Sequence, residues 1–309
     1  MTAARSIDHG MFVSINGVDQ WVTLRGADVA NPALLILGGP GAAFSRLAPF
    51  FAPWEQDFTL VQWDQPGAGA TWTRNGEAGT GPLSLDRIAE DGLAVVEFAL
   101  ERLGASKLAL LGVSGGSMIG LMMARRRPDL LFACVGSGQI VDWARQDALS
   151  YVKVLKRVQA AGDQAALAEL QAIGPPPYRD TATDAVKSRY AGALTLAEQA
   201  AWASIDPAAM AAMIDPGARV LATQTYDRLR DEIVAFDARR LGLEFEVPMV
   251  FLQGDQDAFT VTSEVQAYAA EITAPSVAFD LIPGGGHSAV FMREPFLERL
   301  RRHVLPLAG

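Results

Sequence analysis

The sequence predicts an α/β fold, with a mostly parallel central sheet flanked by helices and interrupted by a helical insertion. Three observations carry this reading. Runs that are apolar throughout, such as Ala33 to Leu37 and Leu108 to Leu111, suit strands covered on both faces. Segments of helical spacing separate these runs, as crossovers between parallel strands require. From about Gln139 to Gly242 the strands stop, and the chain becomes rich in Ala, Gln and charged residues at helical spacing.

In chain order, Phe12 to Ile15 and Trp21 to Arg25 read as a pair of strands around the turn-prone Asn16-Gly17. Ala33 to Leu37 and Phe58 to Trp63 are the next two strands. Ser84 is a good N-cap, and Leu85, Ile88, Val96, Ala99, Leu100 and Leu103 recur at helical spacing until Gly104 ends the helix. Leu108 to Leu111 and Leu131 to Val135 are further buried strands, separated by a helix that begins near Gly115. Residues 139–242 read as an inserted subdomain between two core segments, 1–138 and 243–309; the plainer alternative is a set of additional core helices. Within the insertion, Gly174-Pro175-Pro176-Pro177 must break a helix. Val247 to Leu252 and Val277 to Ile282 resume the sheet, and Glu294 to Val304 closes the chain with an amphipathic helix.

Composition excludes several classes of function. The 309 residues are 50% hydrophobic and 20% charged, enough to bury a large core without disulfides or a structural metal. Lys and Arg number 26 against 35 for Asp and Glu, a net charge of −9 that disfavours nucleic acid as a partner. Cys134 is alone, and His9, His287 and His303 are scattered, so neither a disulfide nor a Cys/His metal site is expected, and no cofactor is implied. Leu108 to Ala124 is uncharged and precedes Arg125, Arg126 and Arg127, yet its four glycines suit a buried strand, turn and helix better than a membrane span. Met1 to Gln20 lacks the apolar core of an export signal, so a cytoplasmic location is expected. The sequence carries no signal for oligomeric state.

Gly112-Val113-Ser114-Gly115-Gly116 fits G-x-S-x-G between a buried strand and a helix. A sharp strand-to-helix turn exposes the serine hydroxyl at the helix N-terminus, and it demands small neighbours. A serine needs a base to attack at neutral pH. Of the three histidines, His9 precedes the first strand and His303 ends the last helix among arginines as a solvated cation. His287 follows Pro283-Gly284-Gly285-Gly286, in a loop at a strand's carboxyl end, where α/β folds place working groups. His287 is therefore the candidate base. Its partner carboxylate is sought in Gly254-Asp255-Gln256-Asp257, also at a strand's carboxyl end, with Asp257 chosen and Asp255 and Asp142 as rivals. An oxyanion hole needs two backbone donors: Gly115, just after the serine, and Gly39 in Gly38-Gly39-Pro40-Gly41, with Gly38 as the fallback.

These motifs together resemble the α/β-hydrolase superfamily and, within it, the proline iminopeptidase family and its esterase relatives. That family's oxyanion loop is H-G-G-P-G, and residues 38–41 match all but the first position, where Leu37 stands. Its D-Q-R-G-x-G segment is matched by Asp64-Gln65-Pro66-Gly67-Ala68-Gly69 except at Pro66. The order Ser, Asp, His and the Gly285-Gly286-His287-Ser288 loop also agree, over residues 1–138 and 243–309. The resemblance implies a helical cap inserted between the core halves, and a small-molecule or short-peptide substrate. Iminopeptidases bind a free amino terminus with cap carboxylates in a W-x-x-W-E context, of which Trp202-Ala203-Ser204-Ile205-Asp206 is a loose echo. Glu169, Glu198 and Asp206 are the candidate carboxylates; Phe44, Trp143, Tyr151, Tyr178 and Trp202 are candidate pocket aromatics. A carboxylesterase or lactonase without peptidase activity, and a non-hydrolytic binding protein, are the alternatives.

Overall fold

The computed structural model describes residues 5–178, 180–213 and 216–309, so the first four residues of the segment read for an export signal fall outside it. Eight strands among the described residues form one sheet: β1 (Ile7–Ile15), β2 (Val18–Gly26), β3 (Ala33–Leu37), β4 (Thr59–Asp64), β5 (Leu108–Val113), β6 (Leu131–Ser137), β7 (Met249–Gly254) and β8 (Val277–Ile282). Their spatial order is β1-β2-β4-β3-β5-β6-β7-β8. The β1–β2 and β2–β4 pairs are antiparallel, and every later pair is parallel. This is the α/β-hydrolase fold that the sequence implies.

Burial follows position in the sheet. β3 to β7 are buried at every residue because helices cover both faces. β2 alternates, with Val18, Gln20, Val22 and Leu24 turned inward. The two faces build two cores, and a period of two divides even adjacent residues between them. Leu35 and Leu37 join Val61, Trp63, Ile88 and Ile119 on one side; Leu34 and Ile36 join Leu60, Leu111 and Phe296 on the other.

The helix Leu85–Leu103 starts where the Ser84 side chain accepts from the Arg87 amide, and it stops at Gly104, whose φ of 66° suits glycine. Between β6 and β7 the described elements are helices and one short 3-10 turn. Several are opened by acidic or hydroxyl caps: Asp142 before Trp143–Ala160, Asp163 before Gln164–Ile173, Asp180 before Thr181–Ala191, and Thr195 before Leu196–Ala203. Gln164–Ile173 ends at Gly174, where the proline run begins. Pro216–Val234 is the last described α-helix before β7, and the 3-10 turn Ala238–Leu241 follows it.

Some expectations need correction. β1 begins at Ile7 and includes His9, which sits opposite Leu24 rather than before the strand; pairing with β2 extends a segment whose own pattern is polar. His303 is half-buried against Asp280 (Nε2 to Oδ2, 2.9 Å) rather than a solvated end charge. Helices Gly69–Thr80 and Thr262–Glu271 lie where none was expected. The first is rich in Gly and Thr, poor helix formers whose conformation here is imposed by packing on β2 and β4.

Candidate active site

Ser114 sits in the turn between β5 and the helix Gly115–Arg126, at φ 53° and ψ −123°. A positive φ on a non-glycine residue is strained, and the surroundings hold it in place. The Ser114 amide donates to the Ser137 carbonyl at 2.8 Å, while its own carbonyl accepts from the Ser117 amide (2.8 Å) and hydroxyl (2.6 Å). Small neighbours are obligatory. A Cβ on Gly112 would lie 2.7 Å from the Gly116 carbonyl oxygen, and one on Gly116 would lie 2.0 Å from the Leu37 carbonyl oxygen.

The loops after β7 and β8 bring the other two groups to the same point. His287 Nε2 is 2.8 Å from Ser114 Oγ, and its Nδ1 is 3.1 Å from Asp257 Oδ2. A carboxylate only accepts, so Nδ1 carries the ring proton and Nε2 faces the serine hydroxyl with its lone pair. Asp257 is fully buried, yet well supplied with donors. Oδ1 accepts from the amides of Phe259 (2.7 Å) and Thr260 (3.0 Å); Oδ2 accepts from Thr260 Oγ1 (2.6 Å) and Gln253 Nε2 (2.7 Å). Burial pushes its carboxyl upward, but the neighbouring His287 ring and these hydrogen bonds hold it below the usual carboxylate range. The Phe259 ring stacks on the imidazole at 4.5 Å between centroids.

The rival carboxylates are engaged elsewhere. Asp255 Oδ1 accepts from the Gly284 amide at 2.9 Å, tying the two loops together, and Asp142 caps a helix by accepting from Arg145.

The two expected donor loops meet backbone to backbone. A Cβ on Gly115 would stand 3.0 Å from Gly39 Cα, so a side chain there would push the two loops apart by a few tenths of an ångström. Gly38 is packed under the Phe44 ring, and its carbonyl accepts from the buried Gln65 side chain at 2.9 Å. Asp64 accepts from the amides of Ser45 (3.1 Å) and Ala70 (2.9 Å). The Asp64-Gln65 motif therefore braces the loop carrying Gly39, a role that no reading of single residues had assigned to it.

Side chains of the helices between β6 and β7 hold the other two loops. Ser150 Oγ donates to the Ala258 carbonyl (2.6 Å) and Lys153 Nζ to that of Asp257 (2.7 Å). Glu198 Oε1 accepts from the Gly286 amide (2.8 Å), and Thr195 Oγ1 donates to the Gly284 carbonyl (2.7 Å). Trp143 meets the edge of Phe259, one ring away from His287, and with Tyr178, Asp147, Asp184 and Arg230 it lines a cavity of about 140 Å³. Tyr151 is buried among insertion residues, bonded to the Leu170 carbonyl. Trp202 packs on Phe50 and Phe291. Asp206 is exposed and accepts from the amides of Ala208 and Ala209, and Glu169 pairs with Arg189 at the surface. Among the described residues no group of three or more His, Cys, Asp or Glu is arranged to hold a metal, and no helix is long and apolar enough to cross a membrane.

Comparison with known proteins adds to this geometry. The chain is similar over 306 residues to the probable aminopeptidase YbaC of Bacillus subtilis, at 26% identity, covering 94% of this chain and 95% of that protein. It is 29% identical over 174 residues to a probable proline iminopeptidase of Streptomyces coelicolor, covering 56% of this chain and 51% of the other. Its fold matches the crystal structure of a proline iminopeptidase-related protein from Thermus thermophilus with a TM-score of 0.67 and 22% identity, over 98% and 99% of the two chains. The family model described as serine aminopeptidase, S33, matches residues 30–294. The chain is thus an α/β-hydrolase enzyme that belongs to the serine aminopeptidase, S33, family.

Proposed function

We propose that this protein is a serine hydrolase that cleaves an ester or amide bond of a small substrate through an acyl-enzyme. One observation carries the reading: a single imidazole lies within hydrogen-bond distance of both the Ser114 hydroxyl and a buried, ionised carboxylate. In this reading His287 takes the proton of Ser114 as Oγ attacks the substrate carbonyl, and Asp257 stabilises the imidazolium that forms. The Gly39 and Gly115 amides receive the charge on the carbonyl oxygen, each donor contributing on the order of 10²- to 10³-fold in rate. His287 then gives its proton to the leaving alcohol or amine. Water deprotonated by the same ring attacks the acyl carbon, and Ser114 regains its proton. No cofactor enters these steps. Residues 139–242 act as a cap over the core formed by 1–138 and 243–309, and their helices define the acyl pocket.

The test is labelling with a fluorophosphonate followed by mass mapping of the modified residue. Modification of Ser114, abolished in Ser114→Ala, is expected; an unmodified Ser114 in folded protein would overturn the mechanism. Turnover of proline p-nitroanilide compared with p-nitrophenyl acyl esters separates the peptidase version from the esterase version.

A further inference from the structure

An enzyme that demands a free amino terminus must offer the substrate ammonium an anionic partner, because an unpaired charge is costly in a site shut off from water. The insertion has no such partner to spare at the carboxylates first considered. Glu169 is spent on Arg189, Asp206 caps a helix, and both Glu198 oxygens accept backbone amides, those of Gly286 and Thr195. Two other carboxylates between β6 and β7, Asp147 and Asp184, are buried beside Trp143 and Tyr178, and Trp143 meets the Phe259 ring that stacks on His287. Both are already occupied by a cation from within the chain. Lys187 Nζ is in direct contact with Asp147 Oδ1 and 3.5 Å from Asp184 Oδ1, on a side chain only 2% exposed. That nitrogen lies 5.3 Å from the centroid of Phe259, the ring that stacks on His287.

We propose that Lys187 is a resident ammonium, which fills the cation position beside Phe259 so that the substrate is the ester or amide of an uncharged acyl group rather than of an α-amino acid. This inference rests on the serine-hydrolase reading of Ser114. Electrostatics supports it. Burial pushes the Asp184 carboxyl up, Arg230 pulls it down, and with Lys187 the two carboxylates already face two cations. A substrate ammonium would enter next to a like charge where water does not screen it. An uncharged acyl group instead meets the apolar faces of Trp143 and Tyr178, which line a cavity of about 140 Å³ beside Asp147 and Asp184. The pairing links positions 147, 184 and 187, on two helices of the insertion, so specificity is set by how those helices pack.

The test uses a matched pair of substrates on the full chain: the p-nitrophenyl esters of proline and of cyclopentanecarboxylic acid, which differ in the ring ammonium. Wild type is expected to favour the uncharged ester by at least ten-fold in kcat/KM, after subtraction of spontaneous hydrolysis. Lys187→Met keeps the length of the side chain and removes the cation that the two carboxylates share; it should narrow or reverse that preference by ten-fold or more, chiefly through a lower KM for the proline ester. Preference for proline in wild type, or an unchanged ratio in folded Lys187→Met, overturns the proposal. If that variant does not fold, the wild-type ratio decides alone. Protection of Ser114 from fluorophosphonate provides a readout independent of turnover. Stronger protection by cyclopentanecarboxamide than by prolinamide supports the proposal, and equal or reversed protection overturns it. A Ser114 that labels while proline is preferred sinks only the resident ammonium, whereas a Ser114 that never labels sinks the hydrolase reading.

Discussion

The sheet side of the site and the insertion side are held by opposite means. Below Ser114, backbone packs on backbone: Gly112 and Gly116 have no room for a side chain, Gly39 and Gly115 approach each other closely, and the strained serine turn is gripped by main-chain contacts of β6 and the following helix. On the other side, long polar side chains reach across to backbone groups of the loops that carry Asp257 and His287. Lys153 and Ser150 hold the 257–258 carbonyls, and Glu198 and Thr195 hold the 284–286 turn. The first kind of contact is rigid, and at Gly112 and Gly116 it is intolerant of any added atom. The second is adjustable, so the insertion can change its helices and its pocket while still fixing the two loops. In the proposed reading, chemistry is set by the sheet side, and substrate choice by the helices between β6 and β7.

The largest effect should come from the chemical groups themselves. Ser114→Ala or His287→Ala should lower kcat by about 10⁴- to 10⁶-fold, with unfolding by urea close to wild type. A variant that retains a tenth of wild-type turnover would mean that the core does not set the chemistry. Asp257→Asn should lower kcat by about 10⁴-fold, since a neutral amide neither stabilises an imidazolium nor fixes its tautomer. The same variant has a signature in stability. Because the folded-state carboxyl of Asp257 is held below its unfolded value, its contribution is present above about pH 4 and is lost as pH falls through the lower, folded value. Acid unfolding of Asp257→Asn should lack that part of the decline.

What was legible in the sequence follows the same division. β3, β8 and the helix Leu85–Leu103 have the bounds expected from their residues, because apolar runs, a serine cap and a closing glycine are local signals. The Ser114 turn was readable for that reason too: glycines at fixed spacing around one residue are visible without a partner. The start of β1 was not, since Ile7 to Met11 is a strand only by virtue of β2 opposite it. The bracing of the site was equally hidden. Lys187 meets Asp147 across 40 residues, Gln65 meets Gly38 across 27, and Glu198 meets Gly286 across 88. Such pairs leave no spacing rule in the chain. Glu198 was considered for its charge, whereas its position assigns it to a loop.

Two glycines separate rigid from merely close contact. A Cβ on Gly116 would stand 2.0 Å from a backbone oxygen that has no way to yield, so Gly116→Ala should destabilise the protein by about 3 kcal/mol or prevent folding. On Gly39 the nearest atom would be 3.3 Å away, at Gly115 Cα, and Gly39→Ala should cost about 1 kcal/mol or less in urea unfolding. Its kcat should nevertheless fall by about ten-fold, because a small shift between the 39 and 115 amides spoils their shared aim. Equal losses of stability at the two positions would break the distinction.

The adjustable side is tested by Glu198, where the smallest effect is expected. Glu198→Ala leaves two amides without their acceptor. That of Thr195 opens a helix and can turn to water, but that of Gly286 is buried, so about 1–3 kcal/mol of stability should be lost. Gly286 immediately precedes His287, and a loosened turn lets the imidazole wander from Ser114. The loss should therefore fall on kcat, by about ten-fold, with KM nearly unchanged. Glu198→Gln keeps one carbonyl oxygen in place of two carboxylate oxygens, and it should recover part of kcat by holding Gly286 again. A packing role alone would let Glu198→Gln restore stability and leave kcat in both variants at the wild-type value. Such a result would place the whole positioning of His287 in the core, and would reduce the insertion to a wall of the pocket.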